Sequence, residues 1–180
     1  MKTRRLSLVI LAFAIIAFAC QPQPSTLTDA QKAAIADSAK SVAQEVARGV
    51  ETLNGAAVLA RCSADPDARY LENGFLYASF GAFKDSLYAD YAMLEPVSYQ
   101  IDAMDVVVLG EEAAAITESF HFTVKTKAGE EVKGQGIASI VVQKRQGRWQ
   151  IIQWHESELD NSELEAALAS PNTSKQPTMK

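Results

Sequence analysis

After Pro96 the chain is built from four long runs of β-forming residues with almost nothing between them, and that leaves few folds open. Val97 to Leu109, Ala113 to Lys127, Glu131 to Lys144 and Arg148 to Ser157 are rich in Val, Ile, Thr and aromatic side chains. Gly110-Glu111-Glu112, Ala128-Gly129-Glu130 and Gln146-Gly147 separate them. Gaps this short cannot hold a crossover helix, so consecutive runs must return antiparallel beside one another. In the second run Ile116, Phe120, Phe122 and Val124 fall on one side, and Ala113, Ala115, Thr117, Ser119 and His121 on the other. Neither side is strongly charged. Each face is therefore expected to be partly covered, one by helices and the other by a second subunit.

The helices that could cover it come first in the chain. Thr28 with Gln31 three residues on is a capping-box pattern. Ile35, Val42, Val46, Val50 and Leu53 follow on one helical face. Asn54 caps a second, short helix through Cys62, which Asp65-Pro66-Asp67 ends. Asn73-Gly74 between Ala68–Leu71 and Phe75–Ala78 is a hairpin signal. Ser79 caps a third helix carrying Phe80, Phe83, Leu87 and Tyr91 at helical intervals, and Glu158 to Leu168 reads as a short closing helix. Helices gathered at the start and strands at the end predict an α+β fold, with a curved antiparallel sheet wrapped around N-terminal helices.

At 180 residues there is room for one domain with signals and tails. Residues 1–19 read as a signal peptide: Lys2, Arg4 and Arg5 precede an apolar stretch from Leu6 to Ala19 that is short for a bilayer span. Ala17-Phe18-Ala19-Cys20 resembles a bacterial lipobox, chiefly at Ala19 and Cys20. The resemblance implies lipidation of Cys20 and attachment to the periplasmic side of the outer membrane; cleavage to a soluble periplasmic protein is the other outcome. Residues 20–27 are a Pro- and Gln-containing tether, 28–168 the folded domain, and 169–180 a disordered tail with Pro171 and Pro177. Losing residues 1–19 removes three positive charges and no negative ones, taking the formal charge from -5 to -8. Such an acidic chain has no surface for nucleic acid.

The final run, Gly147-Arg148-Trp149-Gln150-Ile151-Ile152-Gln153-Trp154-His155-Glu156-Ser157, resembles the SnoaL-like branch of the nuclear transport factor 2-like superfamily, whose members commonly end on this spacing of Trp149, Ile151, His155 and Ser157. Ala64-Asp65-Pro66-Asp67-Ala68-Arg69-Tyr70 is similar to the family's entry into its first strand. The resemblance spans roughly residues 28–157. It implies a cone whose curved sheet wraps the helices around a pocket, and a homodimer formed through the outer sheet face.

Hairpin geometry offers a first placement of a site. If the turns at Ala128-Gly129 and Gln146-Gly147 pair the strands symmetrically, Ser119 and His121 face Ala138 and Gly136, which in turn face His155 and Ser157. Ser119, His121, His155 and Ser157 then converge on small residues, as a small-ligand pocket requires. Against this, a histidine on a half-buried strand is more often structural than catalytic. Trp154 and Glu118 fall on the opposite face in this register, read as a dimer-face or core aromatic and an outward carboxylate. Steroid-isomerase relatives imply a carboxylate base at Glu72, although Glu72-Asn73-Gly74 also reads as an exposed turn and the first helix lacks the expected oxyanion tyrosine. Tyr70, Tyr88 and Tyr91 could line a pocket or simply fill the core.

Other chemistry is sparse. Two histidines and scattered acids do not reach metal-site spacing, and Cys62 in an apolar helical run reads as a buried, inert thiol. No nucleophile elbow or Gly-rich cofactor loop occurs, so neither cofactor nor metal is expected. The sequence therefore points to an exported cone domain that binds a small apolar ligand, or serves as an accessory interaction module, without catalysis. The alternatives are an isomerase-, cyclase- or dehydratase-type enzyme with His155 as general acid/base, assisted by His121 or Glu72, and a dimeric scaffold without a ligand.

Overall fold

Thr28 Oγ1 accepts from the Gln31 amide while the Gln31 side chain accepts from the Thr28 amide, and this reciprocal cap starts helix α1, Asp29–Glu51. The structure, a computed structural model, describes residues 26–159. The expected signal peptide, the lipidation expected at Cys20 and the expected tail lie outside them, as does the expected closing helix apart from Glu158 and Leu159, which are strand. Among the described residues no helix is long and apolar enough to cross a membrane.

Five elements precede the long strands: α1, the short helix α2 (Gly55–Leu59), strands β1 (Arg69–Glu72) and β2 (Phe75–Leu76), and helix α3 (Phe80–Met93). Asn54 and Ser79 cap α2 and α3 as expected, each accepting from an amide three residues on. β1 and β2 form the hairpin around Asn73-Gly74, both at positive φ (49° and 83°). The long strands are β3 (Ser98–Gly110), β4 (Ala113–Lys125), β5 (Glu131–Arg145) and β6 (Arg148–Leu159). One curved six-stranded sheet results, in the order β2-β1-β6-β5-β4-β3. It is antiparallel except where β1 lies parallel to β6, pairing Tyr70 with Trp154 and Glu72 with Glu156.

Helix α1 crosses the inner face of the sheet against β3, β4 and β6. Its buried stripe of Ile35, Ala39, Val42, Ala43 and Val46 meets Ala114, Ile116, Phe120, Ile140, Val142 and Ile151 from the strands. Each fully buried Val, Ile or Phe contributes about 1.5–3 kcal/mol, so this layer dominates the stability. Tyr70 is 2 % exposed and donates its hydroxyl proton to the Ser63 carbonyl at 2.8 Å, tying the start of β1 to the loop after α2. Cys62 is buried beside it, and burial pushes its thiol up to about 12, in keeping with an inert side chain. Arg145 reaches across to Asp65 and Asp67 and fixes the loop that leads into β1.

The strand register differs from the symmetric one. The β4–β5 turn has three residues, not two: Lys125 pairs with Glu131, and the Thr126 amide donates to the Glu130 carbonyl around Lys127-Ala128-Gly129. Gly129 takes φ 92°, the left-handed position that such a turn demands. The β5–β6 turn does have two residues, Gln146 and Gly147 at φ 51° and 78°, and Arg145 pairs with Arg148. A bulge between Val141 and Val142 then adds one residue on β6. The two offsets place Ile137 between Ser119 and Ser157, pair His121 with Gln135, and pair Ser139 with His155.

Candidate functional site

Where α3 arches over the sheet, the inner faces do not close, and a cavity of about 190 Å³ remains. Its floor is Phe120 and Phe122 on β4 with Trp154 on β6; Phe83, Leu87 and Tyr91 of α3 form the roof, and Tyr70 and Tyr99 the sides. The rings hold one another in place. Tyr70 stacks on Phe83 with centroids 4.4 Å apart, Phe83 meets Trp154 edge-on at 6.0 Å, and Tyr99 stacks on Phe120 at 5.1 Å.

Set into this aromatic lining are carboxylates. Glu72 on β1 and Glu156 and Glu158 on β6 are brought side by side by the parallel pairing, with ligand oxygens all within 4.8 Å of one another. Each has one donor: Tyr77 Oη to Glu72 at 2.7 Å, Trp154 Nε1 to Glu156 at 3.0 Å, and Asn73 Nδ2 to Glu158 at 3.4 Å. Asp90 on α3 faces the same space. One rung along the inner face, Glu118 lies across Ala138 from Glu156; it is 4 % exposed, and its Oε2 has no hydrogen-bond partner. No Lys, Arg or His lines the cavity among the described residues.

Such a cluster resists ionisation. Burial, with the neighbouring charges of Glu72 and Glu158, raises Glu156 to about 8, the Trp154 N–H pulling weakly the other way. Burial raises Glu118 to about 7. Burial, and then the charge of Glu72, also lift Asp90 and Glu158 above the usual carboxylate range. Tyr77 is pushed up to about 12 by burial and then by Glu72, while burial above all raises Tyr91 and Tyr99 further, so these hydroxyls stay protonated. The Tyr91 hydroxyl oxygen is buried with no partner. Near neutrality the cavity thus offers carboxyl groups able to hold or give up protons, beside aromatic faces.

A family model described as a SnoaL-like domain matches residues 39–160. The chain belongs to the SnoaL-like family. Within the nuclear transport factor 2-like superfamily, this SnoaL-like domain shares its fold with solved structures of low identity. One is a superfamily protein from Salmonella enterica serovar Typhimurium, with a TM-score of 0.67 and 14 % identity over 81 % of this chain and 99 % of that one. Another is a ketosteroid isomerase-like protein from Erwinia carotovora atroseptica, with a TM-score of 0.58 and 16 % identity over 67 % and 93 %. The association domain of the Caenorhabditis elegans kinase CaMKII has a TM-score of 0.57 and 21 % identity over 72 % and 99 %. No curated protein matches the chain significantly.

The SnoaL-like domain brings together a different set of residues from the one expected. Ser119, His121, His155 and Ser157 do share a sheet face, but it is the outer one, and none of them lines the cavity. His121 and His155 are exposed there, His121 Nδ1 lying 2.7 Å from Asp102 Oδ1. The two one-residue offsets, from the longer turn and the bulge, together keep these four on one face and change the β5 residues between them, Ile137 and Gln135 standing where the symmetric register puts Ala138 and Gly136. The face is the outer one because the helices pack on the other. The small residues do not leave a void beside the histidines either. Phe120 lies over Gly136, and Phe122 over Gly134, where an added Cβ would meet the ring within 2.3 Å. Tyr70, Tyr91 and Glu72 do line the cavity, Glu72 being half-buried and not part of an exposed turn, whereas Tyr88 is exposed and does not line it. Trp154 and Glu118 lie on the face opposite the histidines, as the symmetric register also has them, but this is the face the helices cover: Trp154 packs against the core, and Glu118, read as an outward carboxylate, is buried. Glu156, Glu158 and Asp90 escaped sequence reasoning altogether. The signal was the alternation Trp154-Glu156-Glu158 on β6, readable only with the correct face assigned.

Proposed function

We propose that the domain binds a small, largely apolar molecule in the cavity between α3 and the sheet, without transforming it. The aromatic lining carries this reading: an apolar cavity of about 150 Å³ accepts benzene, and this one is somewhat larger. The stretch from Lys2 to Cys20 supports export to the bacterial envelope, with the domain either soluble in the periplasm or lipid-anchored through Cys20 to the periplasmic side of the outer membrane. The outer sheet face exposes Val107, Leu109 and Ile137 and supports a homodimer, and one structural relative is named as an association domain. Proton-transfer catalysis of the isomerase or dehydratase kind is the second reading. It is favoured by carboxyl groups that titrate near neutrality, and it would run through Glu118 or Glu156, since His155 lies across the sheet.

Isothermal titration with tert-butylbenzene tests the binding reading. A dissociation constant of roughly 10–100 μM is expected for a ligand of this size. Leu87→Trp, which fills the roof, should weaken binding at least tenfold while the far-UV circular dichroism is unchanged. His155→Ala should bind as the parent does. Loss of binding in His155→Ala with retention in Leu87→Trp would move the site to the outer face and overturn the assignment.

A further inference from the structure

We propose that the molecule taken up is an organic cation: an apolar or aromatic body bearing a quaternary or protonated amine. This rests on the cavity-binding reading above and adds the ligand's charge. Four carboxylates, Glu72, Asp90, Glu156 and Glu158, open onto one small apolar space that no basic side chain enters among the described residues. Three of them lie within 4.8 Å of one another, each holding a single neutral donor. A neutral apolar guest would shut water off from the inner oxygens without offering them a partner, and an anion would be repelled. A cation satisfies them together.

Two further observations point the same way. Glu118, almost wholly buried one rung from Glu156, has an oxygen without any partner, and its charge acts on the cavity residues Tyr99 and Glu156. The rings that line the cavity together with the acids, Trp154 among them, are of the kind on which ammonium groups settle. The acids at the rim, Asp90 and Glu158, are exposed enough to draw a cation inward.

Entry of a cation displaces protons, so affinity should rise with pH. The groups facing the cation are Tyr70 and Glu72 from β1, Tyr77 beyond β2, Asp90 and Tyr91 from α3, Tyr99 from β3, and Glu156 and Glu158 from β6, with Glu118 of β4 behind them. All are acids or phenols. None opposes the trend.

The test is calorimetric titration of the purified protein with phenyltrimethylammonium and with tert-butylbenzene, which have the same shape and differ by one charge. At pH 8 the cation should bind at least tenfold more tightly than the hydrocarbon, and at pH 5.5 that preference should shrink at least threefold. Glu156→Gln should remove most of the preference for the cation over the hydrocarbon. Glu72→Gln, at the half-buried rim, supplies the same comparison on a residue outside the packed core. Equal binding of the two probes overturns the cation proposal and leaves the apolar cavity standing. Failure of both probes to bind overturns the cavity reading itself.

Discussion

Raising the pH from 5 to 8 is expected to cost the folded protein about 2–3 kcal/mol through Glu118 alone. Burial raises this carboxyl from 4.5 to about 7 in the native state. Between those values the native protein binds more protons than the unfolded chain, so stability falls as the pH climbs through that window and levels off above it. A shift of this size corresponds to about 3 kcal/mol at the upper limit. Glu156, raised to about 8, acts in the same direction over a wider window. Asp67 works oppositely: Arg145 holds it below the usual carboxylate range, so its contribution is lost only as the pH falls through that lower value. Urea denaturation at pH 5, 6, 7 and 8 should show a midpoint that declines with pH. In Glu118→Gln the decline should be shallower, and the variant should be more stable than the parent at pH 8. A midpoint that holds steady or rises over this range, or a Gln variant with the parent's slope, would show that Glu118 is not buried as described.

Gly136→Val should strongly destabilise the sheet. An added Cβ would lie 2.6 Å from Phe120 Cζ and 2.6 Å from the Ser157 carbonyl oxygen. The ring is held by its stacking on Tyr99. The carbonyl belongs to β6 and cannot retreat without opening the β5–β6 ladder. Overpacking of this kind costs about 3 kcal/mol, which in a domain of this length lowers the melting temperature by roughly 10 °C. Gly110→Ala is the control. Nothing lies within 4 Å of its added Cβ, so its melting temperature should stay within about 2 °C of the parent's. A Gly136→Val protein that melts with the parent would show that β4 and β5 are not registered with Phe120 over Gly136.

What the sequence made legible follows from the range over which each signal acts. Caps are local, and Thr28, Asn54 and Ser79 start their helices where their side chains can reach an amide three residues on. The alternation along β4 is local too, and it separated Phe120 from His121 correctly. Which side of that alternation faces the helices is not local. It depends on α1 and α3 docking, and the inner side is the one they bury. Register depends on a single residue in a turn and another in a bulge. Lys127-Ala128-Gly129 carries no mark distinguishing a three-residue loop from a two-residue one, and Ile152, the added residue on β6, looks like any other strand residue. The carboxylate cluster needed one more non-local fact, the parallel seating of β1 on β6.

The claim on which the rest depends is that the inner sheet face, and not the face bearing the histidines, encloses a space for a guest. A crystal structure of the protein grown in saturating tert-butylbenzene tests it most directly. The hydrocarbon should appear between Phe83, Phe120 and Trp154, within van der Waals contact of all three rings. Density for it beside His121 and His155, or those three rings collapsed onto one another with no guest between them, would contradict the account.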